Sequence, residues 1–291
     1  MNPTLRSFLR RVRLPLFGLV ATGLALAARY AHAAVQPEGG LGLPRDVSHD
    51  GHLIDWLINV THVFNIILFV IMCVWMAVAC FKHNAHHEAE YDHGESKRSV
   101  TIALCLSAFI FAVVDGNLFV NTIIGLDKAF WNFSIPQNDA NTVRIEVNAH
   151  QWAWDGRYAG EDKRFSTPAA PSPDDILTWN ELHVPVDTPV HLQLTATDVI
   201  HSFYLPNFRV KMDAVPGQVN QLWFRAKEPG EFDIGCAQHC GTHHYKMKAK
   251  LIVHSQEDYR RWEHEAGING KRAFDPEDTS AHWGWAWKEQ Q

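Results

Sequence analysis

Two long apolar segments, residues 53–81 and 100–124, constrain the fold of this chain more than any other feature. The stretch 63–81 is nearly free of polar side chains. A helix of roughly 20 apolar residues crosses a hydrocarbon core of about 30 Å, so each segment is long enough to span a bilayer. The sequence therefore predicts a membrane α-helical hairpin, with two transmembrane helices, over residues 53–125.

The charges beside the two segments predict how the hairpin lies in the membrane. The loop 82–99 carries Lys82, Lys97 and Arg98, whereas the outer flanks offer only Arg45 and Lys128. Because cytoplasmic loops are enriched in Lys and Arg, the loop is expected in the cytoplasm and both ends outside.

Residues 1–33 are predicted to be a secretory signal peptide, followed by an exported segment at 34–52. A basic start with four Arg precedes an apolar run at 14–28, and Ala31-His32-Ala33 has the form of a cleavage site. The alternative is a third membrane helix, which the short run and Arg29 disfavour. Removing residues 1–33 takes away five Arg and no acids, changing the formal charge from −6 to −11. Such an acidic exported part repels nucleic acid and attracts basic partners.

Residues 126–255 have the pattern of an all-β domain. Residues 143–147 and 190–194 alternate with period two, and further strands are predicted at 219–224 and 248–253. Pro and Gly residues punctuate these runs, as they do in a sandwich or barrel. Ser255 is placed to cap a helix over residues 256–266. The segment 256–291 then ends in an aromatic tail with Trp283, Trp285 and Trp287, for which docking and disorder are both open.

The loop 236–247 concentrates residues that bind soft metals. Cys236, Cys240, His244 and Met247 fall within twelve residues, and His201 stands at a predicted strand end upstream. Thiolate, thioether and imidazole ligands select copper or zinc, and this set exceeds what one tetrahedral zinc site needs. The set suits two copper ions bridged by both thiolates. The alternative for the cysteine pair is a disulfide, which an oxidising compartment allows. Three further cysteines lie in the apolar segments and are predicted to be buried, namely Cys73, Cys80 and Cys105.

Residues 181–254 resemble the copper domain of cytochrome c oxidase subunit II. The stretches 182–190, 198–203, 210–217 and 236–247 match that family's pattern, and residues 150–154 match its aromatic stretch. The resemblance implies a cupredoxin-like β-barrel or sandwich that holds the binuclear copper centre known as CuA. It also implies the copper ligands, which are His201, Cys236, Gln238 through its carbonyl, Cys240, His244 and Met247. His239 and His243 are taken as non-ligands.

The resemblance further implies the role of an electron-accepting subunit in a respiratory chain. Electrons from cytochrome c would enter near Trp152 and pass to haem in subunit I, which also holds CuB. That partner chain reduces oxygen to water and pumps protons, in a complex with other oxidase subunits. The acids Asp198, Glu161 and Asp162 are expected to steer a basic cytochrome. The location implied is the bacterial inner membrane, with the N-terminus and copper domain on the periplasmic side.

Two departures from the family pattern qualify these expectations. Gln238 stands where the family usually has Glu, and a neutral amide is a poorer ligand for a hard cation, so magnesium is not favoured there. The second segment lacks the family's usual Glu before Trp-Thr, although Glu95 lies nearby. It also contains Asp115, and an acid in a membrane span usually faces protein or a water-filled cavity.

Two other functions stay open at this point. One is the CuA subunit of a nitric oxide reductase, whose catalytic chain would differ. The other is a membrane-tethered copper or thiol chaperone, which would use the two cysteines and leave His201, His244 and Met247 without a role.

Overall fold

The computed structural model describes residues 43–273, apart from 85, 89–90, 92, 161–162 and 166–172, together with Asp275 and Glu277. The predicted signal peptide, the acids Glu161 and Asp162 and the aromatic tail lie outside the described residues. Two helices are long and apolar enough to cross a membrane, Gly51–Lys82 and Lys97–Asn138. The two membrane-length helices that the sequence predicted are therefore present in the fold.

The second membrane-length helix is not uniform. After helix α1 (Gly51–Lys82), helix α2 (Lys97–Phe109) begins behind Ser96, whose hydroxyl accepts the Ser99 N–H at 3.1 Å. A π-helical turn, Ile110–Asp115, leads into helix α3 (Gly116–Leu126), and a second one, Asp127–Trp131, precedes the short helix α4 (Ser134–Asn138). Asp115 ends the first π-helical turn and is exposed. Such turns shift the register of the faces of a helix.

The apolar faces of these helices are open along most of their length. In helix α1, all of which the structure describes, only Gly51 is buried, and no residue of helix α2 is buried. The prediction that the three upstream cysteines are buried was wrong for Cys80 and Cys105, which are exposed, while Cys73 is half-buried. Cys80 and Cys105 therefore lie on the open apolar faces of helices α1 and α2 rather than in a core formed by this chain.

Within the described residues, ten strands form the domain that follows. They are β1 (Val143–His150), β2 (Ala153–Tyr158), β3 (Ile176–Trp179), β4 (Glu181–Pro185), β5 (Pro189–Ala196), β6 (His201–Leu205), β7 (Val210–Ala214), β8 (Asn220–Arg225), β9 (Gly230–Cys236) and β10 (Lys248–His254). They build two five-stranded sheets, in the orders β3-β2-β1-β5-β8 and β4-β10-β9-β6-β7. The β-sandwich that the sequence predicted is present.

A continuous apolar core lies between the two sheets. Trp154, Leu192 and Leu222 from the first sheet and Phe203 and Ile234 from the second are all fully buried in it. Burial alternates along β10 and in part of β9, as the period of two predicts, whereas β1 and β5 are buried along most of their length. Parallel pairing of β1 with β5 and of β10 with β4 joins segments distant in sequence.

The candidate site residues lie at one end of the sandwich. His150 ends β1, His201 begins β6, Cys236 ends β9 and Lys248 begins β10. Phe203 pairs with Cys236, and Lys248 pairs with Gly235, so these strand ends are adjacent. The loop between β9 and β10 is therefore held at both of its ends by rigid strands.

The C-terminal helix α5 (Gln256–Ala273) is longer than predicted. Ser255 caps it as expected, because its hydroxyl accepts the Asp258 N–H at 3.1 Å and donates to the Asp258 carboxylate at 2.7 Å. The helix passes Gly267 because it packs on the domain. The Trp262 ring stacks on His183 at 4.3 Å, and a Cβ on Gly270 would meet the Asp175 carbonyl at 2.7 Å.

Candidate metal centre

The two cysteines and the two histidines that were predicted as ligands lie close together at one end of the sandwich. The Sγ atoms of Cys236 and Cys240 lie 3.7 Å apart. The Nδ1 atom of His201 is 4.0 Å from the Cys236 sulfur, and the Nδ1 atom of His244 is 3.6 Å from the Cys240 sulfur. The ligand atoms of His201, Cys236 and Cys240 all lie within 4.8 Å of one another.

The two weaker ligand candidates join the same cluster. The Met247 sulfur lies 3.1 Å from His201 Nδ1 and 3.8 Å from the Cys240 sulfur. The Cys236 thiol donates to the carbonyl oxygen of Gln238 at 3.2 Å. All six residues proposed from the sequence thus face one small volume, and Gln238 does so through its main chain while the residue itself is exposed.

The backbone fixes this arrangement. The Ala237 N–H donates to the Ser202 carbonyl at 2.9 Å, and the Cys236 N–H donates to the Met247 carbonyl at 3.2 Å. His201, Cys240 and Met247 are buried, whereas Cys236 and His244 are half-buried. Because strands hold both ends of the loop, the fold preorganises the candidate ligands.

Asp198 orients one of the histidines. Its carboxylate lies 2.8 Å from His201 Nε2, and it also accepts the N–H groups of Gln151 and Val199 at 2.6 Å each. With Nε2 held by the carboxylate, Nδ1 of His201 faces the sulfur atoms. A carboxylate behind a metal-binding imidazole fixes its tautomer and raises its basicity. From the sequence, Asp198 was expected to steer a basic cytochrome, and its hydrogen bond to His201 was not predicted, although the Asp-x-x-His spacing could have revealed it.

Trp152 lies directly behind Cys240. Its indole N–H donates to the Cys240 carbonyl at 3.1 Å, and the Gln151 side chain donates to the same oxygen at 2.8 Å. The imidazole of His243 meets the Trp152 ring edge-on with centroids 4.6 Å apart. The half-buried Trp152 therefore connects the solvent side of the domain to the cluster through one hydrogen bond.

Gly241 makes that close approach possible. Its φ is +111°, and a Cβ there would lie 2.9 Å from the Gln151 amide nitrogen and 3.3 Å from the Trp152 ring. Only glycine adopts this conformation readily and leaves the space open. Sequence analysis did not single out Gln151 or Gly241.

The neighbouring histidines occupy different places. His243 lies against Trp152, and the ring of His239 is 5.5 Å from that of His244; both are exposed. Of these three, His244 has the ring nitrogen that approaches the Cys240 sulfur. The geometry agrees with the assignment of His244 as the ligand candidate.

The pKa values of the two thiols are shifted in opposite directions. Burial alone raises the pKa of Cys236, but hydrogen bonds from His201 and nearby groups outweigh it and lower that pKa to about 6. Burial and the adjacent Cys236 thiolate raise the pKa of Cys240 to about 12. Burial alone would lower the pKa of His201, yet its contacts with Cys236 and Asp198 raise it. At pH 7 the sulfur of Cys236 is therefore mainly a thiolate, whereas the sulfur of Cys240 is mainly protonated.

The donor set fits soft metal ions. The two sulfur atoms are free thiols, 3.7 Å apart, well beyond the bond length of about 2.05 Å in a disulfide. Two thiols, two imidazoles, a thioether and a carbonyl form a set typical of copper. The fold and site together define a membrane-anchored β-sandwich protein with a sulfur-rich metal site at one end of the sandwich.

Comparison with known proteins identifies the family. The family model for the periplasmic domain of cytochrome c oxidase subunit II matches residues 143–255. An alternative cytochrome c oxidase subunit 2 from Bradyrhizobium diazoefficiens is 31% identical over 245 residues, covering 76% of this chain and 84% of that protein. Cytochrome c oxidase subunit 2 from Cereibacter sphaeroides is 30% identical over 277 residues, covering 85% and 88%.

One solved structure also matches part of this chain. The periplasmic domain of subunit II of cytochrome oxidase from Bradyrhizobium japonicum is 29% identical, covers 44% of this chain and 94% of that chain, and has a TM-score of 0.38. On the two relatives matched over most of their length, the chain belongs to the cytochrome c oxidase subunit II family. Both relatives are cytochrome c oxidase subunits, the class of subunit that the motifs predicted.

Proposed function

We propose that this chain is the electron-accepting subunit of a respiratory oxidase and holds a binuclear copper centre of the CuA type. The observation that carries the proposal is the convergence of six soft or neutral donors on one volume: His201, Cys236, the Gln238 carbonyl, Cys240, His244 and Met247. Copper ions held there would supply one-electron transfer chemistry.

Each residue of the site has its own role. Cys236, Cys240, His201 and His244 would be the main copper ligands, and Met247 and the Gln238 carbonyl would be weak ligands that tune the potential. Asp198 keeps His201 in the tautomer with Nδ1 free for metal. Trp152 lies between the donor side and Cys240, so it provides the entry point for electrons from cytochrome c.

The proposed destination of the electron is haem in subunit I, where oxygen is reduced to water with proton pumping. The two membrane-length helices anchor the chain, and the positive loop 82–99 favours a domain on the outer side of a bacterial inner membrane. The relatives are named as cytochrome c oxidase subunits, which favours oxygen over nitric oxide as the final electron acceptor. A chaperone would need only two thiols, and the convergence of four further donors argues against it.

Neighbouring histidines give a matched test of the ligand set. His244→Ala should remove a terminal ligand and abolish the delocalised copper signal, whereas His243→Ala should keep it, because His243 contacts Trp152 and not sulfur. Paramagnetic resonance and near-infrared spectra of the purified complex measure both outcomes. Retention of the full signal in His244→Ala would contradict the assignment, and Cys240→Ser, which removes a bridge, provides a second check.

A further inference from the structure

The C-terminal helix α5 covers two histidines on the outer face of the second sheet. His183 lies on β4 and His254 on the adjacent strand β10, while their neighbours Leu182 and Val253 are buried in the core. The Nδ1 atom of His183 lies 2.8 Å from the Nε2 atom of His254, and the two rings are inclined by only 11°. We call these two residues the histidine pair, and neither belongs to the candidate metal centre.

Helix α5 contacts the histidine pair through two aromatic side chains. The Trp262 ring stacks on His183, with centroids 4.3 Å apart and planes inclined by 13°. The Tyr259 ring is 6.5 Å from the His254 ring, and Tyr259 is only 6% exposed. Docking of the helix therefore withdraws the two imidazoles from water. Because burial disfavours the charged form of an imidazole, protonation of the pair and docking of the helix oppose each other.

The contact between the two rings limits how many protons the pair can hold. The Glu181 carboxylate lies 2.7 Å from the Nε2 atom of His183, so this nitrogen carries a proton. The Nδ1 atom of the neutral His183 then accepts the Nε2–H group of His254. A first added proton binds Nδ1 of His254 and leaves this hydrogen bond intact. A second would put N–H groups on both facing nitrogens, and two positive rings would then lie side by side.

Two acids near the pair favour its charged form but do not outweigh burial. They are Glu181 on β4 and Asp258 in the first turn of α5, whose carboxylate accepts the Ser255 hydroxyl at 2.7 Å. Burial is the largest cause of change for both histidines and lowers their pKa values, although Glu181 raises the pKa of His183 and both acids raise the pKa of His254. The pair is therefore mainly neutral while the helix is docked at neutral pH.

Two phenols and one ion pair also lie beside the histidine pair. The Tyr158 hydroxyl of β2 accepts the main-chain N–H of His183 at 2.7 Å, and burial raises the pKa values of Tyr158 and Tyr259 above their ordinary value. Both phenols are therefore uncharged at neutral pH. Glu263, whose charge acts on Tyr259, pairs with Lys163 at 3.6 Å. Among these residue types histidine is the one that titrates near neutral pH, so the pair is the pH-sensitive part of the contact.

We infer that the histidine pair and Trp262 form a pH-sensitive switch, which holds helix α5 on the sandwich at neutral pH and releases it when the pair takes up a second proton. Release exposes the outer face of β4 and β10, and it does not require a bound metal. The direction follows from the lowered pKa values of both histidines in the docked state. Docking is strongest above the ordinary imidazole pKa of about 6.5 and weakens as the pH falls below it.

The test is hydrogen–deuterium exchange of the purified complex, read by mass spectrometry on peptides from residues 256–273. Exchange is followed from about pH 7.5 to about pH 5.5 and corrected for the intrinsic effect of pH on amide exchange. In the wild-type complex, the corrected exchange of α5 should become at least about tenfold faster at the lower pH. Peptides from β1 and β5 should keep their protection, because the sandwich itself stays folded.

Two variants and one matched control assign the response to the pair. His254→Gln and His183→Gln each leave a single imidazole, so the corrected exchange of α5 should change by less than about threefold over the same pH range, whatever its value at neutral pH. His191 on β5 is the control. Burial lowers its pKa as well, but its ring bonds to Gln221 at 3.1 Å and faces Phe133 rather than α5. His191→Gln should keep the wild-type response.

Three results would overturn the switch. In the first, α5 of the wild-type complex keeps its protection at the lower pH. In the second, β1 and β5 lose protection together with α5, which indicates unfolding of the domain instead of release of the helix. In the third, both glutamine variants respond as strongly as His191→Gln. Copper binding is read separately from the spectra of the same samples, so failure of the switch and failure of the proposed function are distinguishable.

Discussion

Gly241 shows how one residue without a side chain controls contact between two loops. Its φ is +111°, and the space that a Cβ would occupy is needed by Gln151 and Trp152 for their hydrogen bonds to the Cys240 carbonyl. Gly241→Ala should strain the backbone by about 1–3 kcal/mol and push Trp152 away from that carbonyl. The expected result is that the copper spectrum is kept while electron entry from cytochrome c slows by at least about tenfold.

Gly235 offers the control for this change. It lies on β9 next to Cys236, and a Cβ there would meet no atom within 4 Å. Gly235→Ala should leave both the spectrum and the rate of reduction unchanged, as measured by stopped-flow mixing with reduced cytochrome. Equal rates of reduction in the two alanine variants would show that electron entry does not depend on the present positions of Trp152 and Gln151.

The opposite acidities of the two thiols predict selective chemistry in the metal-free protein. The pKa of Cys236 is lowered to about 6, so at pH 7 it is mainly thiolate, and its reactive fraction falls as the pH drops below that value. The pKa of Cys240 is raised to about 12, and it stays protonated at pH 7. Iodoacetamide at pH 7 should therefore alkylate Cys236 well before Cys240, as read by peptide mass mapping. Faster labelling of Cys240 would contradict the charge distribution described for the cluster.

At the residue scale, the sequence predicted the candidate ligands better than their supports. Cys236, Cys240, His244 and Met247 lie in one short loop, so their spacing alone marked them as candidate ligands. The contacts of Gln151 with Asp198 and with Cys240 span 47 and 89 positions of the chain. Such pairings between distant strand ends have no local signature in one sequence.

At the scale of elements, an ion pair ties the first membrane-length helix to the β-domain. Arg209, which has a positive φ of 61°, donates to the two carboxylate oxygens of Asp55 in helix α1 at 2.5 and 3.0 Å. Their side chains are only 5% and 16% exposed. Asp55→Asn should leave a nearly buried guanidinium without its counter-charge and destabilise this junction by about 3 kcal/mol.

The loss of stability is measured by heating the detergent-solubilised complex and following the copper absorbance. Asp55→Asn should lower the midpoint temperature at which this absorbance is lost. Asp50 is the matched control, since it precedes helix α1 without a side-chain capping bond. Asp50→Asn should leave the midpoint within the error of the measurement. The same midpoint for both variants would mean that the ion pair does not couple helix and domain.

Elements with strong local patterns were predicted well, but the residues at which they end or change geometry were not. Both membrane-length helices and the capped start of helix α5 follow from hydrophobic runs and from Ser255. The π-helical turns and the extension of helix α5 past Gly267 are set by packing, for example by Trp262 on His183. Tertiary contacts of this kind override local propensity.

At the scale of the whole molecule, the chain combines a membrane anchor with a rigid sandwich that presents metal ligands at one end. The division between apolar helices and alternating strands is visible in the sequence, so the architecture could be predicted. The order of strands in the two sheets, with parallel pairs β1–β5 and β10–β4, could not, because it depends on long connections.

The central claim is that this chain binds two copper ions that share one electron. The most direct measurement is copper quantification together with the electron paramagnetic resonance spectrum, on the purified complex and on a matched Cys236→Ser complex. The account predicts that the Cys236→Ser complex holds two copper ions fewer than the unmodified complex. It also predicts that the half-reduced unmodified complex gives a signal in which the unpaired electron is spread over two copper nuclei. Loss of a single ion, or a signal from one localised copper, would contradict it.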